Sequence, residues 1–148
     1  MTTPPELASP DIGHAAADLR MATFKLSRRL RAERAVDSMS DGQFAVLANL
    51  GVYGPHTLGE LAARERVTAP SMNRTVNCLE ESGYLVRTPD GDDRRKVNIT
   101  LTDAGRAVVE ETRRRRDAWL ERALADLTPA QRDLLAQAIP VLREVADR

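Results

Sequence analysis

The sequence has little of the chemistry that enzymes and metal centres need. It contains one cysteine and two histidines, His14 and His56. It has no HExxH or CxxC motif and no glycine-rich phosphate loop. The carboxylates are numerous but scattered over helix faces that we expect to be exposed. These absences favour a chain that binds a partner over an enzyme, and they predict neither a cofactor nor a metal site.

Disulfides, membrane spans and targeting signals are also missing. A single cysteine excludes an internal disulfide and fits a reducing cytosol. No apolar run approaches the roughly 20 residues that span a bilayer. Residues 1–10 include three prolines but lack the basic start and apolar stretch of a signal peptide. We expect a cytoplasmic protein without a membrane partner, and a disordered tail over residues 1–10.

The chain also lacks an excess of either charge. Lysine and arginine together number 22, as do aspartate and glutamate. The signs also balance within residues 1–56, 57–101 and 102–148 taken separately. The overall charge therefore gives no support for a nucleic-acid partner, and a surface for anions has to come from local placement.

The pattern that is present predicts six helices and one β-hairpin. Apolar residues recur every three or four positions over residues 11–34, which indicates a helix. A side-chain hydroxyl followed three residues later by Glu or Gln marks a helix start, and a lone Thr can do the same. Such starts occur at Ser40, Thr57, Thr68, Thr102 and Thr128. The only β-like stretches are residues 85–88 and 97–101, so the fold class is mainly α with a small hairpin (α+β).

The segment Leu58–Arg87 has the order of a winged helix-turn-helix. It predicts a helix, a tight turn at Arg66–Val67, a second helix, a stop at Gly83 and then a strand. In such a unit the second helix enters the major groove of DNA and is called the recognition helix.

The second helix has one apolar side and one polar side. At 100° per residue, Met72, Val76 and Leu79 fall together and predict the buried face, while Arg74 and Asn77 fall opposite. From the turn to the last of these apolar residues there are two positive charges and no negative one. An ordinary solvated face is the alternative, but such faces usually mix both signs in i,i+4 pairs.

The hairpin has a charged tip, "PDGDDRR", over residues 89–95. Alternation of Val97, Ile99 and Leu101 predicts a strand with one packed face. An arginine at such a tip is suited to a narrow minor groove, where negative potential is concentrated. We expect Asp93 to pair with Arg95 and to hold its guanidinium in place. The alternative is a solvated turn with incidental ion pairs of little value.

These two segments resemble the MarR family of bacterial regulators. Asp93-Arg94-Arg95, followed by Ile99, Leu101 and Thr102, fits the family's wing pattern D-x-R-x-x-x-V/I-x-L-T. The stretch "VTAPSMNRTVNCLEESGYLVR" is similar to the family's recognition helix and the strand after it. The order of six helices with a wing after the fourth extends the resemblance to nearly the whole chain.

The resemblance implies a homodimer that binds pseudo-palindromic double-stranded DNA, usually as a repressor released by a small, often aromatic, anionic ligand. It implies paired roles for Asp93 and Arg95, and a minor-groove contact for Arg94 or Arg95. Together with the helical wheel, it gives the predicted DNA-binding residues: Thr68, Ser71, Asn73, Arg74 and Asn77 on the helix, and Asp93, Arg94 and Arg95 in the wing.

The terminal helices predict dimerisation independently. Their apolar stripes are narrow and would make a thin core in one chain, but a substantial one when intertwined with a copy. The middle of the helix after Thr102, "EETRRRRD", is expected to be polar all round and to cross solvent. We interpret Arg113–Arg116 as part of that linker, with a phosphate-binding patch as the alternative. The predicted domain covers residues 11–148, with the winged helix at about 40–101 and dimerisation helices at 11–34 and 102–148.

Three predictions concern regulation and partners. A ligand pocket, which the resemblance places between the dimer helices and the winged core, could be lined by Phe24, Phe44, Tyr53, His56 and Trp119, although each is more often plain core. A thiol-based response through Cys78 is an alternative, against a semi-buried small residue without redox function. A winged helix used only for protein contacts is the third possibility.

Overall fold

The computed structural model describes residues 11–148. The disordered tail predicted for residues 1–10 lies outside the described residues. The elements are α1 (Ile12–Ala32), α2 (Asp41–Tyr53), α3 (Leu58–Glu65), α4 (Ala69–Glu81), β1 (Leu85–Pro89), β2 (Val97–Leu101), α5 (Asp103–Ala125) and α6 (Pro129–Ala146). The predicted fold class is confirmed, with the hairpin between the fourth and fifth helices.

Side-chain hydroxyls begin five of the helices at the predicted positions. Ser40 and Thr128 each form a complete capping box, in which the glutamine three residues later bonds back to the cap. Thr57 accepts the N–H of Glu60, although the return bond of a capping box is not formed. Thr68 and Thr102 cap α4 and α5 in the same way. These bonds satisfy amides that a helix start would otherwise leave without partners.

Residues 33–148 form one compact unit, and α1 belongs to another. The core of the larger unit lies between α2, α3, α4, the hairpin and the first half of α5. Its fully buried apolar side chains are Val46, Leu47, Leu61, Met72, Val76, Leu79, Leu85 and Ile99. This core holds the second helix of the helix-turn-helix and the hairpin against the same neighbours.

The hairpin is antiparallel, and its second strand also pairs with a residue outside the hairpin, His56. Leu85 lies opposite Leu101, and Arg87 lies opposite Ile99. On the outer side of β2, the backbone of His56 exchanges two hydrogen bonds with Ile99, of 3.2 Å and 2.7 Å. At the base of the wing, β2 is therefore hydrogen-bonded to β1 on one edge and to His56 on the other. The residues of the tip lie outside both strands.

The first and last helices keep their apolar side chains exposed. Neither α1 nor α6 has a buried residue. On α1, Phe24 is 60% exposed, and on α6, Leu134 is 65% exposed. A helix gains most of its stability in a protein from packing its apolar face, so these two helices lack their main source of stability within one chain. No helix in the described residues is both long and apolar enough to cross a membrane.

The middle of α5 is not the solvated linker that the sequence predicted. Thr112 is buried, and its hydroxyl accepts the N–H of Ala35 at 3.2 Å. Arg115 donates to the carbonyl of Arg34 at 2.9 Å, and the Arg116 guanidinium lies 4.7 Å from the centre of the Phe44 ring. The prediction is wrong because these contacts join residues far apart in the sequence. They fix α5 to the segment that precedes α2.

Most arginines of the run Arg113–Arg116 are already bound to other groups of the protein and are not free to bind phosphate. Hydrogen bonds from Arg114, and then from Arg115, lower the pKa of Glu111 to about 2. Arg113 is exposed, and the structure gives its guanidinium no ion pair among the described residues. A continuous phosphate-binding patch over Arg113–Arg116 is therefore not supported, because three of its four side chains have protein partners.

A glycine allows α5 to approach the start of the hairpin closely. The Thr102 hydroxyl donates to the carbonyl of Gly83 at 2.6 Å, and the Thr102 N–H donates to the carbonyl of Tyr84 at 3.2 Å. A Cβ added at Gly105 would lie 1.9 Å from that same Tyr84 oxygen. This distance is far inside van der Waals contact, so the junction requires glycine.

Gly105→Ala is therefore expected to lower the free energy of unfolding by about 1–3 kcal/mol, since overpacking forces the backbone to shift. Gly59→Ala on α3 is the matched control, because a Cβ there meets nothing within 4 Å. In a helix that second change should stabilise by up to about 1 kcal/mol. Thermal melting of both variants checks the prediction, and equal melting temperatures for the two would contradict it.

Candidate DNA-binding site

A left-handed residue makes the tight turn between α3 and α4. Arg66 has φ 55°, the only positive φ among the described residues other than glycine. Its N–H and that of Val67 bond back to the last turn of α3. Thr68 then begins α4, its hydroxyl accepting the N–H of Ser71 at 3.3 Å. The predicted turn at Arg66–Val67 is confirmed, and the start of α4 is exposed.

The rotation of α4 about its axis agrees with the helical wheel. Met72, Val76 and Leu79 are buried, whereas Arg74 and Asn77 are exposed. The remaining predicted DNA contacts of the helix are also accessible: Asn73 and Thr68 are exposed and Ser71 is half-buried. All five predicted side chains, Thr68 at the cap and the other four on α4, are therefore at least partly accessible, while the apolar face of the helix packs into the core.

An arginine of β1, which was not among the predicted site residues, joins this polar face. Arg87 donates from Nη1 to Glu80 at 2.8 Å, and from Nη2 to the side-chain oxygens of Asn73 at 3.0 Å and Asn77 at 2.9 Å. A signal was present in the sequence, since Arg87 falls two residues after buried Leu85 on the inward face of the strand. A cation in such a position needs partners.

Two aspartates shape the tip of the wing. Asp90 accepts the N–H of Asp92 at 3.0 Å and the amide of Asn98 at 3.3 Å. The bond from Asp92, together with Asn98 and the charge of Lys96, lowers the pKa of Asp90. Asp93 likewise accepts the N–H of Arg95 at 3.0 Å. A side chain that bonds a backbone N–H two residues on mimics a turn, and this explains acidic residues in a tip expected to meet phosphate.

The predicted pairing of Asp93 with the guanidinium of Arg95 is wrong. The carboxylate is used by the backbone N–H of Arg95, which is closer in the turn than the side chain. Within residues 11–148, the guanidinium groups of Arg94 and Arg95 have neither an ion pair nor a hydrogen bond, and both residues are exposed. The wing therefore presents two cations without protein partners in the described part of the chain.

Known proteins that are similar to this chain are regulators of transcription. The model of the MarR family matches residues 39–97, from the residue before the α2 cap to the start of β2. A helix-turn-helix transcriptional regulator of Mycobacterium bovis, Mb0904, is 36% identical over 132 residues, which cover 89% of this chain and 92% of that protein. The chain belongs to the MarR family.

Solved structures of regulators share the fold over nearly the whole chain. The transcriptional regulator Tm0710 of Thermotoga maritima is 28% identical, with a TM-score of 0.75 and coverage of 92% of this chain and 96% of that one. BpsR of Bordetella bronchiseptica, whose DNA binding is regulated by 6-hydroxynicotinic acid, is 26% identical, with a TM-score of 0.64 and coverage of 97% and 99%. This MarR-family chain is a transcriptional regulator with a DNA-binding helix-turn-helix and not an enzyme.

Of the five residues predicted for a ligand pocket, four lie in the larger unit, and Phe24 lies on α1 in the other unit. Tyr53 is 58% exposed, with the Arg64 guanidinium 3.8 Å from its ring centre and the buried His56 ring 6.4 Å away. Phe44 lies under Arg116, in a neighbourhood that shares no lining residue with the cleft at His56. Trp119 is half-buried on α5, and Phe24 is exposed on α1. Within residues 33–148, Tyr53 and His56 are the pair of these residues whose rings are in contact.

Cys78 lies on the recognition helix but is exposed, so the expected semi-buried position is wrong. At 100° per residue, Cys78 falls about 100° from buried Leu79 and about 120° from buried Met72, which leaves it outside the packed face of α4. Its sulfur accepts a hydrogen bond from the amide of Gln43 at 3.2 Å. A redox role for this thiol stays a hypothesis.

Substitutions of the wing aspartates distinguish the effect of the turn hydrogen bond on DNA affinity from the effect of the negative charge. Asp93→Ala removes the acceptor for the Arg95 N–H and is expected to weaken DNA binding by about 0.5–1.5 kcal/mol, since the turn loses one hydrogen bond. Asp93→Asn keeps an acceptor oxygen without the charge, so its affinity should equal or exceed that of the parent.

The matched control is Asp92→Ala, because the Asp92 carboxylate accepts no turn bond within the described residues and its loss removes the same charge. Fluorescence anisotropy with labelled duplex DNA measures all three variants. If Asp93→Ala bound DNA as tightly as Asp92→Ala, the turn would not matter for binding.

Proposed function

We propose that the protein is a homodimeric, sequence-specific repressor that inserts α4 into the major groove of a pseudo-palindromic duplex. The observation that carries the proposal is the division of α4 into a buried apolar face and an exposed face with Asn73, Arg74 and Asn77. Polar side chains on an accessible recognition helix are what base edges require.

The N-terminal end of α4 suits a phosphate contact. Thr68 and Ser71 lie at the exposed start of the helix, where backbone N–H groups and the helix dipole favour anions. Arg74 follows one turn later, and no acidic residue lies in the first turn. We assign Thr68 and Ser71 to the DNA backbone, and Arg74 to a base edge.

The wing supplies a second contact. Arg94 and Arg95 are exposed on a tip that the two aspartate turns hold in shape. Because their guanidinium groups have no protein partner in the described residues, they are available to the minor groove, where arginine is favoured when the groove is narrow. Asp93 acts on DNA binding through the shape of the turn.

The exposed apolar faces of the terminal helices support a homodimer. Burial of a Leu, Ile or Val side chain contributes about 1.5–3 kcal/mol, and α6 leaves Leu134, Ile139, Leu142 and Val145 exposed in one chain. A contiguous apolar stripe of this kind marks an interaction surface. We propose that α1 and α6 pack on their copies, and that residues 11–148 act as one domain in that assembly.

Family membership supports repression and release by an effector as the mode of regulation. A dimer on an operator blocks the polymerase by occupancy, and we place it in the cytoplasm with the bacterial chromosome. Regulation of BpsR by 6-hydroxynicotinic acid supports a small aromatic anion as effector. The open cleft lined by His56, Glu60, Ala63 and Arg64 has a volume of about 420 Å³, within the usual range for small-molecule sites. Arg64 supplies the cation there.

A winged helix that binds only proteins is the remaining alternative. Protein contacts do not require free arginines at the wing, and they do not produce the steep salt dependence that release of counterions from DNA produces. The salt response of binding therefore separates the two functions.

The test of DNA reading uses Arg74. Arg74→Ala is expected to weaken binding to the operator by about 1–3 kcal/mol and to leave binding to unrelated DNA nearly unchanged. Arg113→Ala is the control, because it removes one exposed positive charge from α5. Equal weakening on both DNAs, with a salt slope lower by about 0.9, would make Arg74 a phosphate contact. No effect on any duplex would exclude Arg74 from the interface.

The test of dimerisation uses α6. Leu142→Asp places a charge within the apolar stripe and is expected to shift the protein from dimer to monomer in light scattering. Gln137→Asp adds the same charge at an exposed position about 140° away around the helix and should leave the dimer intact. A parent protein that is a stable folded monomer at micromolar concentration would contradict the proposal.

The test of effector binding uses Arg64. Micromolar to millimolar 6-hydroxynicotinic acid, as the probe, is expected to release labelled operator from the parent, as measured by anisotropy. Arg64→Ala should need at least about tenfold more of the probe, since the loss of a charge-assisted contact costs about 1.5–3 kcal/mol. Equal sensitivity of parent and variant would move the effector site away from this cleft.

A further inference from the structure

One side chain of the wing strand binds both asparagines of the recognition helix. Arg87 Nη2 donates to Oδ1 of Asn73 at 3.0 Å and to Oδ1 of Asn77 at 2.9 Å. The two asparagines are four residues apart, so they lie one above the other on the same face of α4. The other side-chain hydrogen bond that the structure gives Arg87 within the described residues is with Glu80.

Glu80 holds Arg87 in this position with both of its carboxylate oxygens. One oxygen accepts from the guanidinium at 2.8 Å, and the other accepts from the backbone N–H of Arg87 at 3.1 Å. The side chain of Arg87 is only 26% exposed. Its charge is thus paired and its donors are directed at α4, so it differs from the free arginines at the wing tip.

The chemistry of arginine fixes which way the two amides face. A guanidinium has five N–H donors and no acceptor, so an asparagine can bond to it only through its oxygen. The amide nitrogens of Asn73 and Asn77 are therefore turned away from Arg87. Because both asparagines are exposed, these N–H groups face the surface proposed to meet DNA.

We propose that Arg87 is a positioning residue that makes Asn73 and Asn77 read hydrogen-bond acceptors. This inference rests on the proposed insertion of α4 into the major groove. The acceptors there are O6 and N7 of guanine, O4 of thymine and N7 of adenine. The usual asparagine contact with adenine also needs the amide oxygen to accept from the adenine amino group, and the guanidinium beside each oxygen opposes the approach of a second donor. The operator positions under these two residues should therefore favour guanine or thymine over adenine.

The experiment measures base preference rather than affinity alone. Selection from a randomised duplex library gives the preferred operator of the parent, and anisotropy then measures each single-base change at the positions read by α4. For the parent, adenine in place of guanine or thymine at these positions is expected to weaken binding by roughly 5-fold, the lower end of the discrimination that a base contact provides.

Arg87→Gln frees the two amides to rotate. Its discrimination against adenine at these positions should fall to less than about threefold, while its affinity for unrelated DNA stays within about twofold of the parent. The matched control is Arg95→Gln, which removes an arginine from the wing tip. That control should weaken all sequences and keep the discrimination at the α4 positions.

A second variant covers the case in which Arg87→Gln does not fold. Asn77→Asp has the same shape and keeps an oxygen toward Arg87, but it replaces the outward N–H donors with an acceptor. It is expected to reverse the preference at one operator position, toward the donor groups of cytosine or adenine. Thermal melting near the parent value shows that the reversal is not a folding effect.

Other outcomes of these experiments would contradict either the positioning role of Arg87 or the proposed function itself. If Arg87→Gln keeps the base preference of the parent, or Asn77→Asp does not alter it, the positioning role is wrong although the proposed function stands. If Arg87→Gln weakens all sequences and lowers the salt slope as Arg95→Gln does, Arg87 binds phosphate. If the parent selects no sequence at all, the proposed function itself fails.

Discussion

Burial of Met72, Val76 and Leu79 sets the rotation of α4, and the remaining features of the site depend on that rotation. These side chains are almost completely removed from solvent. Each contributes about 1.5–3 kcal/mol when buried, whereas a single hydrogen bond contributes about 0.5–1.5 kcal/mol net. The apolar stripe therefore decides which residues face outward. Asn73 and Asn77 are presented because the stripe occupies the opposite side.

The hairpin contacts the recognition helix in two ways, through the shared apolar core and through hydrogen bonds to the polar face of the helix. Leu85 and Ile99 enter the same core as Leu79, and Arg87 binds the polar face of α4 from the neighbouring strand. At the base of the hairpin, next to the Leu85–Leu101 pair, Thr102 and Gly105 bring α5 against the backbone of Tyr84. Helix, wing base and α5 are consequently one packed unit, while the wing tip is shaped separately by its own aspartates.

The sequence predicted the features that depend on neighbouring residues. Caps act over three residues and apolar stripes repeat every three or four, so the helix starts and the buried face of α4 were predictable. Thr112 bonds Ala35 across 77 positions, and no local pattern reports such a contact. The role of Asp93 was misassigned because a carboxylate near an arginine in sequence suggests an ion pair, whereas the turn brings the backbone N–H closer. Arg87 was overlooked because its partners belong to another element.

We propose above all that the polar face of α4 meets base edges in the major groove. A crystal structure of the protein with its selected duplex would show this contact. Arg74 and the amide nitrogens of Asn73 and Asn77 are expected within about 3.5 Å of base-edge atoms. Arg87 is expected to stay bound to both asparagine oxygens. A complex in which this face of α4 lies in solvent, or against a protein chain, would overturn the proposed mode of DNA binding.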